Sequence, residues 1–412
     1  MIYAPRPCRS CGNRLESLVD LGFVTLSGFV RPGEDRDRAP LVVGVCPNCK
    51  LVQLKHTVTR DALFRRYWYQ SGINEAMRAE LHSIVDEAVA RLPPFEAGDA
   101  VLDIGANDGT LLARYSAHDP HVLRVAYEPA QNLQGALHAY APVVVPDYFP
   151  EQYGAVKGLE GRVKVITAIA MVYAVDDLEP FLRAVTALLH EDGIWVVQFQ
   201  DLAGMLRSCA FDNICHEHLT YPSLTSFSKL VAPFGLHVID AEERAINGGS
   251  YRLTVARTHH QASPCVSALR QREAIAEDWE ALEAFEGRVQ ERVAQIRAAL
   301  SAYRSQGQVI DLYGASTKAN TLLQVCKLDR RWLRQAWERS PEKVGRRTAG
   351  SEIPIVSEDE GRANPPAALL VGIWQFRDTV IAREHDYLRA GGRMIFPLPR
   401  VDVVQEVPVH AA

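Results

Sequence analysis

Two series of short apolar runs, each run separated from the next by enough chain for a helix, limit most strongly how this sequence folds. The first comprises VLDIG (101–105), LRVAYE (123–128), VKVITAI (163–169) and IWVVQF (194–199). The second comprises VIDLYGA (309–315), IPIVS (353–357), AALLVGIW (367–374) and RMIFPLP (393–399). Apolar runs of this kind without polar alternation are strands buried on both faces, so each series predicts a doubly wound parallel sheet, an α/β class. LHVIDAEE and SYRLTVAR follow closely on one another and predict extra strands at an edge of the first sheet. AMRAELHSIVDEAVARL predicts a helix ending at Pro93-Pro94. Apolar positions from Leu269 to Tyr303, including Ile275, Trp279, Leu282, Phe285, Val289, Ile296 and Leu300, recur at steps of three and four. They predict one long amphipathic connector helix between the two sheets.

Residues 1–75 lack βα alternation and read as a small appendage. The chain has 412 residues, more than one core of about 150 residues accounts for. The expected division is therefore residues 1–75, 76–258 and 259–412. A formal charge of -5 gives no overall attraction to nucleic acid or anionic membranes. The first residues, MIYAPRPCRS, contain no apolar core of a leader, and no segment reaches the roughly 20 uninterrupted apolar residues of a membrane span. A cytoplasmic location is expected, where thiols stay reduced. Cys8-x-x-Cys11 and Cys46-x-x-Cys49 then read as a double knuckle around one tetrahedral Zn²⁺, whose four thiolates leave no open position for catalysis. Cys209, Cys265 and Cys326 have no partner pattern and are expected to be ordinary buried residues.

In 101–110, VLDIGANDGT, an apolar strand enters a glycine turn that opens a helix. Asn107 stands where a dinucleotide fingerprint has its central Gly, and Asp103 and Asp108 add negative charge, so a pyrophosphate is disfavoured. A sulfonium cation bearing an adenosine suits Gly105, Asn107 and Gly109 better. Glu128 ends the next strand, about 20 residues on, where a carboxylate accepts from ribose hydroxyls. The combination points to S-adenosylmethionine.

After the fourth strand comes FDNICHEHLTY (211–221), beyond a strand's carboxyl end where ligands bind. His216 and His218 lack the spacing of a helical zinc pair, and suit general-base work with Glu217 as neighbour. Asn247-Gly248-Gly249-Ser250 is a hairpin turn by composition and a candidate substrate loop by position. Gly314-Ala315-Ser316-Thr317-Lys318-Ala319-Asn320 opens a helix after a strand and offers backbone N–H groups and a Lys to an anion such as phosphate. Tyr67-Trp68-Tyr69-Gln70-Ser71 lies at a domain junction, as packing or as ligand contact.

Taken in order, the CxxC pairs, the YxYxS stretch, LDIGANDGTLL, HEH, NGGS, GASTKANTLL, IPIVS and the terminal FPLP resemble the sugar C-methyltransferases that act on nucleotide-linked 4-keto-deoxy sugars. The resemblance spans nearly the whole chain. It implies a zinc-binding N-terminal domain, a class I methyltransferase Rossmann-like sheet and a C-terminal Rossmann-like domain. It further implies methyl transfer from S-adenosylmethionine to the sugar carbon beside the ketone, usually C3. In such an enzyme His218 is the base, supported by Glu217 and His216, with Tyr69 beside the reacting centre. Tyr67, Ser71, Asp103, Gly105, Asn107, Gly109 and Glu128 hold the cofactor, while Asn247, Ser250, Lys318 and Asn320 hold the substrate. Relatives often carry Tyr where this chain has Cys215, and His where it has Tyr173 or Ala174. A tyrosine donor to the developing oxyanion is therefore either missing or supplied by Tyr69, Tyr173 or Tyr221. A methyltransferase acting on oxygen or nitrogen of a small molecule or protein is the alternative reading, and it requires no enolisable substrate.

Overall fold

The computed structural model describes residues 3–257 and 260–405. Its largest sheet has seven strands in the order Leu236–Arg244, Ser250–Arg257, Leu189–Phe199, Val163–Ile169, Ala100–Ile104, Leu123–Tyr127, Val143–Val145. Every strand is parallel to its sheet except Ser250–Arg257. The strand order reverses beside Ala100–Ile104, which opens a crevice at the carboxyl ends of the central strands. This is the class I methyltransferase sheet that the resemblance implies. The helix Glu75–Arg91 covers one face; Asn74 caps it by accepting from the Ala76 N–H, and Leu92 leaves helical geometry ahead of Pro93.

A second sheet runs Ile355–Ser357, Ala336–Glu338, Ile310–Tyr313, Ala368–Val371, Arg393–Phe396, Asp402–Val404, parallel except for its last strand. Its order also reverses beside its first strand. Ala336–Glu338 lies in QAWE, too short an apolar stretch to register as a strand from the sequence.

The connector differs from the single helix expected. It is two helices, Pro264–Arg272 and Trp279–Arg304, with a tight turn at Ala274–Ala276. Glu273, at the break, is buried, and its carboxylate accepts from the Leu224 and Thr225 N–H groups at 2.6 and 2.8 Å, capping the helix Leu224–Val231. Asp278 then restarts the path by accepting from the Glu280 N–H. A buried carboxylate satisfied by another helix's end outweighs local helix continuation.

Residues 3–75 pack closely against both parallel sheets. Their antiparallel sheet runs Thr220–Tyr221, Val52–Leu54, Arg38–Val45, Glu16–Thr25, so its edge strand comes from just after the histidine triplet. Phe29–Val30 pairs with Arg347–Thr348, and the Gln324 amide exchanges hydrogen bonds with the Thr25 backbone at 2.8 and 3.0 Å. Val43, Leu54, Leu206, Leu300 and Leu370 share one buried cluster, tying this region to both parallel sheets. Cys209 and Cys326 are buried as expected, whereas Cys265, in the first turn of its helix, is exposed. None of the described helices is long and apolar enough to cross a membrane.

Candidate functional site

The four knuckle thiols converge so that their Sγ atoms lie within 4.8 Å of one another, with Cys8–Cys49 at 3.5 Å and Cys11–Cys46 at 3.4 Å. Sulfurs at the corners of a tetrahedron of ~2.3 Å Zn–S bonds are a little under 4 Å apart, so the set fits a closed zinc site. Inside the first knuckle, Arg9 has a fully buried side chain. It donates to Asp176 Oδ1 at 2.9 Å, the Leu54 carbonyl at 2.6 Å and Thr57 Oγ1 at 2.7 Å. The knuckle is thereby fixed to the large sheet's domain, at a wall of the main cavity that includes Asp176. Sequence reading missed Arg9, since an arginine between ligands normally faces solvent.

That cavity, about 890 Å³, occupies the crevice at the strand-order reversal. It brings together Tyr67, Tyr69, Ser71, Asp103, Gly105, Asn107, Glu128, His216, Glu217, His218, Ser250 and Lys318 from all three parts of the chain. Asp103 and Glu128 are its acidic wall. Burial raises each carboxyl to about 7; Thr167 donates to Asp103 at 2.6 Å, and the Asn107 and Ala130 N–H groups donate to the two Glu128 oxygens, each at 2.7 Å. Each Glu128 oxygen keeps a second lone pair.

Asn107 lines the cavity and also ties the turn to the tyrosine segment. Its side-chain oxygen accepts from the Ser71 N–H and its amide donates to the Tyr69 carbonyl, both at 3.0 Å, while Asp108 accepts from the Gly72 N–H at 2.7 Å. The turn thus clamps the tyrosine segment over the cavity. Gly109 does not line the cavity. It sits at φ 83° at the start of the helix Thr110–His118, and a Cβ there would lie 2.7 Å from the Tyr140 ring, so its role is in the turn itself.

In the loop after the fourth strand, His218 Nδ1 is 2.9 Å from the Asn213 carbonyl oxygen, which fixes the proton on Nδ1 and leaves Nε2 as acceptor. Its ring meets Tyr173 edge-on, centroids 4.3 Å apart. Burial, with the nearby Lys318 charge, lowers the imidazole to about 3, so it is neutral at physiological pH. Among the described residues, neither His216 nor Glu217 hydrogen-bonds the His218 ring. His216 turns to the N-terminal sheet, with Nε2 3.3 Å from the Ala39 carbonyl. Glu217 is buried, its pKa raised by that burial, and its Oε2 has no hydrogen-bond partner. The backbone carbonyl of Asn213, invisible to a side-chain motif, orients the His218 ring instead.

Lys318 Nζ lies 3.4 Å from Gln200 Oε1 and reaches the same chamber as His218. Burial lowers its pKa and the charge of Asp212 opposes that shift. Asn320 is not in the cavity; it is fully buried against the N-terminal region, its amide 3.3 Å from the Gly28 carbonyl. Ser250 lines the cavity and donates to the Ile246 carbonyl at 3.1 Å, whereas the Asn247 side chain lies outside the described residues.

Three family models match in chain order: a zinc binding domain over 8–64, a methyltransferase domain over 74–241 and a C-methyltransferase C-terminal domain over 245–399. The chain is 30% identical over 408 residues to the C-methyltransferase NovU of Streptomyces niveus, covering 96% of each. Among solved structures, magnesium protoporphyrin IX methyltransferase of Synechocystis PCC 6803 with bound S-adenosylmethionine aligns at 11% identity, over 44% of this chain and 79% of that one, with a TM-score of 0.32. Geranyl diphosphate methyltransferase in complex with GPP and sinefungin aligns at 11% identity over 45% and 82%, with a TM-score of 0.36.

Proposed function

Because this chain belongs to the C-methyltransferase family with an N-terminal zinc-binding domain, and uses S-adenosylmethionine, we propose that it methylates C3 of a nucleotide-linked 4-keto-deoxy sugar, with His218 as the base. The observation that carries this reading is the neutral imidazole with Nδ1 committed to the Asn213 carbonyl, in the cavity that also holds Lys318. A carbon bearing only hydrogen is a poor nucleophile until a proton leaves, and a ketone on the next carbon lets the resulting charge move onto oxygen.

S-adenosylmethionine supplies an electrophilic methyl on a sulfonium cation. Asp103 and Glu128, buried where a negative charge is costly, favour a cation in that half of the cavity, and Glu128 has lone pairs for two hydroxyls. His218 Nε2 takes the C3 proton. An imidazolium then stands near the Lys318 ammonium, and an anion between them, the position for the enolate oxygen, relieves the repulsion. Tyr173, in ring contact with His218, is the donor candidate that replaces the tyrosine absent at Cys215. The zinc thiolates take no part in the reaction; they hold the wall that Arg9 and Asp176 complete.

Incubating the enzyme with S-adenosylhomocysteine and a thymidine-diphospho-4-ketosugar in D₂O tests the base. Exchange of the C3 proton, followed by NMR, is expected to slow by a factor of about 10² to 10⁴ in His218→Ala. Glu217→Gln is expected to lose less. Full exchange and methylation by His218→Ala rejects the assignment.

A further inference from the structure

The run IWVVQF (194–199) is apolar but for Gln198, which is buried near the carboxyl end of the strand Leu189–Phe199 and lines the cavity that holds His218. Directly across the sheet stands Arg252, its side chain 3% exposed, whose Nε donates to Gln198 Oε1 at 3.1 Å. Arginine has no acceptor atom, so the amide oxygen faces Arg252 and the amide nitrogen is the end left for other partners. Among the described residues, nothing accepts a hydrogen bond from Gln198 Nε2. A polar N–H in the wall of a cavity, with no protein acceptor, is satisfied by an oxygen of what enters that cavity.

The amide is held against turning over. Arg252 Nη2 donates to Glu80 Oε1 at 2.8 Å and to Ser83 Oγ at 2.9 Å, and Nη1 donates to Glu87 Oε2 at 2.8 Å. Glu80 is itself buried and takes a second guanidinium, Arg244, at 2.8 Å. All three partners of the Arg252 fork lie on the helix Glu75–Arg91, so the guanidinium is fixed and offers Gln198 its Nε. A flipped amide would set donor against donor inside the fold, an unsatisfied pair that burial makes costly.

The place of Gln198 in the sheet assigns it to the methyl acceptor. Glu128 follows the strand Leu123–Tyr127, Asp103 lies on the next strand inward, and Gln198 lies two strands beyond that. At about 4.8 Å per strand, Gln198 is roughly 14 Å from the strand that leads to Glu128. Two residues on, Gln200 Oε1 meets Lys318 Nζ at 3.4 Å. Gln198 therefore stands on the lysine side of the cavity, past the acidic wall.

We propose that Gln198 is a specificity-determining residue, its Nε2 donating to a hydroxyl or ring oxygen of the sugar, and that Arg252 is the positioning residue that keeps it a donor. The proposal rests on the ketosugar reading above. A donor that does not turn accepts an oxygen with a lone pair and rejects an ammonium group at the same position.

The test titrates a thymidine-diphospho-4-ketosugar into the zinc-loaded full chain saturated with S-adenosylhomocysteine, by calorimetry, for wild type, Gln198→Glu and Gln198→Met. Glutamate keeps an oxygen for Arg252 and replaces the donor with an acceptor, so its fold is expected to be as stable as wild type. Ketosugar binding is expected to weaken about tenfold or more in Gln198→Glu and about threefold to tenfold in Gln198→Met, with S-adenosylhomocysteine affinity within about twofold. In turnover the loss is expected in KM, with kcat changed less. Equal ketosugar affinity in wild type and Gln198→Glu overturns the proposal and leaves the ketosugar reading standing, with Gln198 serving only to satisfy Arg252. A matching loss of S-adenosylhomocysteine affinity also overturns it, placing Gln198 at the cofactor. Binding that weakens as expected, with no methylation of the ketosugar, upholds the contact and rejects the proposed reaction. A wild-type chain that binds no ketosugar nucleotide overturns both.

Discussion

The turns that follow the first strand of each parallel sheet use one backbone solution with opposite chemistry. Gly105 (φ 76°) and Gly314 (φ 87°) both enter a helix from the left-handed region, and a Cβ at Gly314 would stand 2.8 Å from Ile373. Beyond them the two turns diverge. The first passes Asn107 and Asp108, whose carboxylate accepts from the Thr110 N–H at 3.2 Å, beside Glu128; the second is capped by Ser316, which accepts from the Ala319 N–H at 3.0 Å, and presents Lys318. Both reach the same cavity, one beside the Asp103 and Glu128 carboxylates and the other bringing the Lys318 ammonium. Shared backbone geometry therefore says where a ligand sits, and the side chains decide its charge.

This contrast breaks most readily at Lys318. Lys318→Met is expected to lower the rate of methyl transfer by about 10²- to 10³-fold, the cost of losing one oxyanion-stabilising group, with the dissociation constant for S-adenosylmethionine unchanged. An equal loss of cofactor affinity would put the lysine on the acidic side and erase the distinction. Glu128→Ala comes next: two hydrogen bonds to a charged acceptor are worth about 1.5–3 kcal/mol, so calorimetry should read a tenfold to hundredfold weaker cofactor. Unchanged affinity would remove Glu128 from the cofactor half.

The smallest effect is one of pH. Asp103 and Glu128 are both raised to about 7 by burial, so the folded, ligand-free protein retains protons that the unfolded chain has already released. Its stability accordingly falls as pH rises from the ordinary carboxylate range through 7. A bound sulfonium cation offsets the buried negative charge, so the melting-temperature gain from S-adenosylmethionine should widen between about pH 6 and pH 8. A constant gain, measured by scanning calorimetry, contradicts a cation-selective acidic wall.

Both sheets were legible because their strands are apolar on both faces, a pattern that survives without knowledge of partners. The knuckles were legible because zinc chemistry fixes ligand spacing in the chain itself. What escaped depended on distant contacts. The connector's apolar period continues past Glu273, and only the Leu224–Val231 helix end that Glu273 caps reveals the break. The triplet read as three cooperating side chains, yet in the fold His216 faces Ala39, Glu217 has an oxygen without a partner, and a backbone carbonyl orients His218. Asn320 looked like part of the anion turn because it follows Lys318 closely; on a helix, two residues apart means different faces, and it is buried beside Gly28.

Thr220 and Tyr221 close the N-terminal sheet by pairing with Gln53 and Val52. During synthesis, the zinc-bearing segment emerges before these two residues and keeps an unpaired strand edge until they have left the ribosome. An excised N-terminal fragment would carry that open edge, a surface on which strands of other chains add. The loop that holds His218 thus also supplies an edge strand of the zinc-bearing sheet, so neither region is complete without the other.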